Sequence, residues 1–259
     1  MAEFTQDHVD VNGIDTAVLT AGSGETLVFF HGAGTATGFD ALLPLADRFR
    51  LVVPQHPGFG ASADDPRVDG IHDYVLHYLD LFDTLGIDEF SLVGHSMGGW
   101  LAAWFAVEQT RRVRRLVLAA PAGLRVPGHP AQDLFTIPDE QMGEFLTADL
   151  SVFAGKVPAT PTPDSLAAGY RELTSAARVM WERPYDSRLP RWTHRLTMPT
   201  LLLWGSADRI IPVGQSEAWA DLIPDCRHLV VPGAGHLLFD EARAAVDGIA
   251  DFVGAEVAV

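Results

Sequence analysis

The 259-residue chain has one cysteine, Cys226, and one lysine, Lys156. A single cysteine excludes an intrachain disulfide and a cysteine-built metal cluster, and it fits a reducing, cytoplasmic location. No run of about 18 apolar residues occurs, so no segment reads as a membrane-spanning helix. The opening Met1-Ala-Glu-Phe-Thr-Gln-Asp7 lacks the basic and apolar regions of a signal peptide. The metal-ligand spacing His-Glu-x-x-His is missing, and no metal is expected. A Gly-x-Gly-x-x-Gly run with an acidic partner is missing after the first strand, and no nucleotide or other cofactor is expected. Positive charge is scarce: 18 Lys and Arg against 34 Asp and Glu leave a net charge of −16. Nucleic-acid phosphates need a basic surface. Anionic membranes and substrates are repelled by such a chain within the roughly 8–10 Å that salt leaves unscreened. A small molecule remains as the expected partner. The residues do not set an oligomeric state.

What is present is apolar material in short, regularly spaced runs. The chain is 47% hydrophobic, as a sheet buried on both faces requires. Its length suits one large α/β domain with an inserted subdomain. Asp7–Val11 and Asp15–Thr20 read as a hairpin turned at Asn12-Gly13. Thr26–Phe30 reads as a buried strand, a short helix is expected near Ala41–Asp47, and Arg50–Val53 is the next strand. Ile71, Val75, Leu79, Phe82 and Leu85 recur at a helical period, closed by Gly86. Glu89–Val93, Val113–Ala120 and the runs at Leu201 and Leu229 are further strands, and a final helix is expected over Asp240–Phe252. Between Pro121 and about Pro199 the alternation stops. Nine of the 17 prolines fall in 121–190, and helical pieces take over. Pro138–Leu146 starts with proline at a first helical position. Leu166, Tyr170, Leu173, Ala177 and Met180 mark an apolar helix face.

Gly94-His95-Ser96-Met97-Gly98 is the most specific signal. It joins a strand to a helix-like run through a turn too sharp for flanking side chains, which makes Ser96 a candidate nucleophile. Such a serine needs a base, an acid and oxyanion donors. His236, after Pro232-Gly-Ala-Gly235, is the candidate base. Asp208, after Gly205-Ser-Ala207, is the candidate acid. Asp221 and Asp225 read as helix-surface and turn residues. The backbone amides of Ala33 and Met97 are the candidate donors, because amides fixed before charge develops suit that task. Gly32 and Gly34 serve the same loop as substrate contacts. His31 is read as steadying that loop, and His95 as filling the elbow. Each piece lies past the carboxyl end of a strand, where open α/β sheets bind ligands.

These pieces resemble the α/β-hydrolase superfamily, in its serine-nucleophile branch. The His31-Gly-Ala-Gly34 loop, Pro57-Gly-Phe-Gly-Ala-Ser62, the elbow at 94–98, Gly205-Ser-Ala-Asp208 with Pro212, and Gly235-His236 with Glu241 all match in order. The resemblance implies a mostly parallel eight-stranded sheet flanked by helices, with a helical cap inserted after strand 6. The core is then 1–120 and 200–259, and the cap 121–199. Phe135, Met142, Phe145, Phe153, Met180 and Trp181 are candidate lining residues of the cap. One departure stands out: an aspartate is common where this chain reads Pro54-Gln55-His56. Serine at position 96 excludes the branches that need aspartate there. A carboxylesterase or lactonase is the leading expectation. The alternatives are a carbon–carbon hydrolase of β-diketone-like ring-fission products, which shares Ser96-Met-Gly-Gly99, and a ligand-binding pseudo-enzyme.

Overall fold

The computed structural model describes residues 2–35, 38–157 and 160–255. Eight strands form one sheet: β1 Thr5–Val11, β2 Ile14–Ala21, β3 Thr26–Phe30, β4 Arg50–Pro54, β5 Phe90–His95, β6 Val113–Ala119, β7 Thr200–Gly205 and β8 Cys226–Val231. Their order is β1-β2-β4-β3-β5-β6-β7-β8. β1 and β2 run antiparallel to their neighbours, and the remaining pairs are parallel. Asn12 and Gly13 both have positive φ, 53° and 87°, as the tight turn between β1 and β2 demands.

The helices are α1 Ile71–Thr84, α2 Met97–Glu108, α3 Met142–Leu146, α4 Leu150–Lys156, α5 Pro163–Met180, α6 Gln215–Leu222, α7 Leu238–Glu241 and α8 Arg243–Gly254. Among the described residues none is long and apolar enough to cross a membrane. Strand alternation builds the two covered faces of the sheet. Val28, Phe30, Leu92, Leu116, Leu118, Leu202 and Trp204 pack with α1, α2 and Trp219 of α6. Leu27, Phe29, Val93, Val117, Leu201 and Leu203 pack on the opposite face with Leu42, Leu45 and α8. α2 is apolar on every side, from Met97 to Val107, as a helix enclosed between sheet and neighbours must be.

Three local expectations change. The segment Asp40–Asp47 is a 3-10 helix with Pro44 inside it; proline lacks the N–H that an α-helix needs there. The expected final helix breaks into α7 and α8 at Ala242, which is extended at φ −141°, ψ 110°. The apolar set on α5 does not share one buried face. Met180 is buried and Ala177 half-buried, whereas Leu166, Tyr170 and Leu173 are exposed.

Candidate active site

The site is assembled at the carboxyl ends of β3, β5, β7 and β8. Ser96 stands between β5 and α2 at φ 56°, ψ −120°, a positive-φ conformation that costs a non-glycine residue about 1–3 kcal/mol and persists only where surroundings impose it. Here they do. The Ser96 amide donates to Ala119 O at 2.9 Å, and Ser96 O accepts from Gly99 and Ala122, each at 2.9 Å. A Cβ at Gly98 would overlap the carbonyls of Phe30 and His31, and one at Gly94 would overlap Gly98 and stand 2.6 Å from Ala102 Cβ. The two glycines therefore let α2 sit against β3 and β5.

Asp208 and His236 are both buried. His236 Nδ1 donates to Asp208 Oδ2 at 2.8 Å. The other oxygen, Oδ1, accepts from the amides of Ile210 and Ile211, each at 2.8 Å. The carboxylate is thus fixed from both sides and holds the ring with Nε2 unprotonated. His236 and Ser96 line one cavity of about 330 Å³ together with Gly32, Ala33 and Gly34. No hydrogen bond joins Ser96 to the His236 ring. Met97 opens α2, so its amide has no intrahelical acceptor.

Behind the Gly32–Gly34 loop lies a pair of buried histidines. His31 Nδ1 donates to Gly32 O at 2.7 Å, and its Nε2 accepts from the His56 amide at 3.0 Å. His56 Nε2 donates to His31 O at 2.8 Å, leaving its Nδ1 to accept from Tyr78 Oη. These bonds use both nitrogens of each neutral ring. Gln55 lies in the loop that departs from the family pattern. Its Oε1 accepts from the Ala61 amide at 2.6 Å, which holds the 55–62 loop without adding a charge beside His31. His95 Nε2 donates to His236 O at 2.9 Å, so His95 braces the loop that carries the candidate base.

Burial keeps these rings neutral. Desolvation lowers His31 to about 4 and His77, bonded to Thr16, to about 4. Desolvation, helped by the neighbouring His236, lowers His95 to about 3. In the unfolded chain each ring protonates near pH 6.5. Between pH 6.5 and 4 the unfolded state therefore binds more protons, and stability falls as pH falls, by up to about 1.4 kcal/mol per ring per pH unit. Urea unfolding at pH 7, 5.5 and 4.5 is expected to show a midpoint that drops at each step. An unchanged midpoint at pH 4.5 contradicts the neutral rings.

One residue of the site has no signature in the sequence. Glu172, on α5 and only 8% exposed, reaches the cavity wall. Its Oε2 accepts from the Thr35 amide at 2.9 Å. Its Oε1 accepts from the Gly60 amide at 2.9 Å and from Thr35 Oγ1. One carboxylate thus ties α5 to both loops behind the candidate oxyanion amides. Glu172→Ala leaves two enclosed amides without acceptors and is expected to lower stability by about 2–4 kcal/mol, read by thermal unfolding. A change under about 0.5 kcal/mol contradicts this role. Glu241 does similar work beside His236: it accepts from Gly235, Ala148 and Asp149 at 2.6, 2.6 and 2.9 Å.

The expected lining residues divide. Phe135, Met142 and Phe153 line the 330 Å³ cavity. Met180 and Trp181 do not; with Phe135 and Ser96 they line a smaller one of about 160 Å³. Trp181 is 68% exposed and packs against Phe135 with the rings tilted by 52° and their centres 5.2 Å apart. Phe145 lines neither cavity and packs on the core. Met142 and Leu146 are one α-turn apart and share the cavity face of α3, and Phe145 falls off it.

The family model of the alpha/beta hydrolase fold matches residues 25–243. The chain belongs to this family. Among curated members of similar sequence is the 2-hydroxy-6-oxo-6-(2'-aminophenyl)hexa-2,4-dienoic acid hydrolase of Metapseudomonas resinovorans, 28% identical, with 90% of this chain and 85% of that protein covered. Among solved α/β hydrolases, a bacterial membrane phospholipase A superposes with a TM-score of 0.83 at 22% identity, covering 97% of this chain and 86% of that one. The 2-hydroxy-6-oxo-6-phenylhexa-2,4-dienoate hydrolase of Rhodococcus sp. strain RHA1 gives 0.81 at 20% identity, covering 98% and 100%. At these identities the structures share the fold.

Proposed function

We propose that this α/β hydrolase is a serine hydrolase of uncharged carboxylic esters or lactones, working through an acyl-enzyme. Residues 1–120 and 200–259 form its core, and 121–199 its cap. His236 Nε2 takes the Ser96 proton as Oγ attacks the carbonyl carbon. Asp208 holds the ring tautomer and balances the imidazolium. The amides of Ala33 and Met97 receive the oxyanion. The intermediate collapses to an acyl-serine, and the alcohol leaves with the proton from His236. Water, deprotonated by His236, then releases the acid and restores Ser96.

The observation that carries the substrate class is the charge of the cavity. Its walls are mainly apolar, its described lining residues include the carboxylates Glu172 and Asp240, and no arginine or lysine is among them. A substrate carboxylate would enter a largely apolar space whose own carboxylates are already engaged, Asp240 by Lys156 at 2.7 Å and Glu172 by the Thr35 and Gly60 amides, and no cation is among its described lining residues to receive it. An uncharged acyl chain meets no such cost.

A second reading, carbon–carbon cleavage of a dienoate, is favoured by the names of the similar hydrolases and by Ser96-Met97-Gly98-Gly99. The two are separated by assaying p-nitrophenyl esters from acetate to decanoate beside a 2-hydroxy-6-oxo-6-phenyl dienoate. Ester hydrolysis with a chain-length optimum supports the ester reading. Dienoate cleavage at a kcat/KM about 100-fold above the best ester replaces it.

A further inference from the structure

Helix α5 is folded with its polar side inward. Glu172 and Ser175 are buried. Ser175 Oγ donates to Gly58 O at 3.5 Å, and Glu172 holds Thr35 and Gly60 as described. Arg171 bonds Gly60 O, and Arg178 pairs with Asp64. The opposite side is apolar. Leu166, Tyr170 and Leu173, spaced i, i+4 and i+7, are 61%, 71% and 49% exposed. The exposed positions from 166 to 173 are Leu166, Ala167, Gly169, Tyr170 and Leu173, with no charge among them. Amphipathic helices of globular proteins do the reverse. Buried polar groups and a contiguous exposed apolar patch are the two deviations from ordinary burial that carry information.

The stripe has a definite destination. Leu173 belongs both to it and to the wall of the cavity over Ser96, and Gly169 and Val157 line the same wall. Leu173 therefore joins the exposed stripe of α5 to the wall of the cavity that holds the candidate nucleophile. A protein partner seated on the stripe would cover the rim of the cavity. The occupant that uses both the stripe and the cavity is the substrate in bulk. The net charge of −16 sets that bulk phase as uncharged, since an anionic surface is repelled.

Resting on the ester reading above, we infer that the outward face of α5 docks the protein on an aggregated, uncharged ester phase. Leu166 and Tyr170 insert into that phase, and single molecules pass over Leu173 into the cavity. Docking concentrates substrate at the rim and needs no change in the chemistry at Ser96.

The test compares wild type with the Leu166→Gln/Tyr170→Gln double variant, neither residue lining the cavity. Rates are read on dissolved p-nitrophenyl acetate and on tributyrin below and above its solubility limit. Wild type is expected to show at least a tenfold rise above the limit. The double variant keeps the acetate rate within twofold and loses the rise. Absence of the rise in wild type, or its persistence in the double variant, overturns the inference. So does a wild-type dimer in sedimentation equilibrium that the double variant converts to monomer, because the stripe is then an interface between copies. Flotation of the Ser96→Ala protein with tributyrin droplets reads docking without turnover. If wild type hydrolyses no ester, the ester reading fails, and co-flotation that the double substitution abolishes still supports an apolar docking face; no flotation overturns it.

Discussion

Ser96→Ala is expected to lower kcat on the best ester by about 10³-fold or more with little change in stability. The geometry separates these two effects. The backbone of Ser96 carries the elbow: its amide and carbonyl make the bonds to Ala119, Gly99 and Ala122, and alanine retains both groups. The hydroxyl has no hydrogen bond to the His236 ring, so its removal strands no buried partner there. Alanine at φ 56° bears about the same backbone strain as serine. The residual rate should come from the amides of Ala33 and Met97 and from substrate binding, which remain without the nucleophile. Initial rates beside thermal unfolding check both parts. A variant that keeps most of its activity transfers the nucleophile elsewhere, and one that unfolds leaves the elbow argument wrong.

Asp208→Asn is expected to reduce kcat by about 10⁴-fold. The two oxygens of Asp208 have different employers: Oδ1 receives the amides of Ile210 and Ile211, and Oδ2 receives His236 Nδ1. Asparagine has one oxygen. If that oxygen keeps the two amides, its NH₂ faces His236 and forces Nδ1 to accept, so the proton moves to Nε2 and the base is blocked. If the oxygen faces His236, the NH₂ opposes two N–H donors in a buried site, and the loop is disturbed. Either orientation removes the base, and the second also lowers stability. A pH–rate profile with kcat unchanged near neutrality contradicts the assignment of Asp208 as the orienting acid.

The parts legible in the sequence were those with short-range steric causes. The elbow could be read because the clashes at Gly94 and Gly98 involve a turn of five residues. The strands could be read because a doubly buried sheet leaves apolar runs such as Leu201-Leu-Leu-Trp204. Asp208 and His236 each follow a strand and a glycine loop, a layout visible along the chain, and the structure sets their Oδ2 and Nδ1 atoms 2.8 Å apart. Illegible parts depended on which side of a helix meets its neighbour. The spacing of Leu166, Tyr170 and Leu173 announces a buried face, and only the docking of Glu172 and Arg171 on the 58–60 loop turns it outward. Beside the break at Ala242, Glu241 binds the amides of Ala148 and Asp149, more than 90 residues away in sequence, a contact that no local pattern encodes. His56 sat in a loop of unassigned role, and its bond to His31 O became visible only once β3 and β4 were side by side.

The glycines of the elbow also govern how this chain can change. Cβ atoms at Gly94, Gly98 and Gly99 would run into backbone, Ala102 or Pro121, so these sites are expected to tolerate almost no variation. Diversification is then confined to residues that lie on the sheet without entering it, chiefly those between β6 and β7. In a mutational scan the two regions should separate cleanly, with intolerance at 94–99 and shifts of substrate choice arising from 134–181.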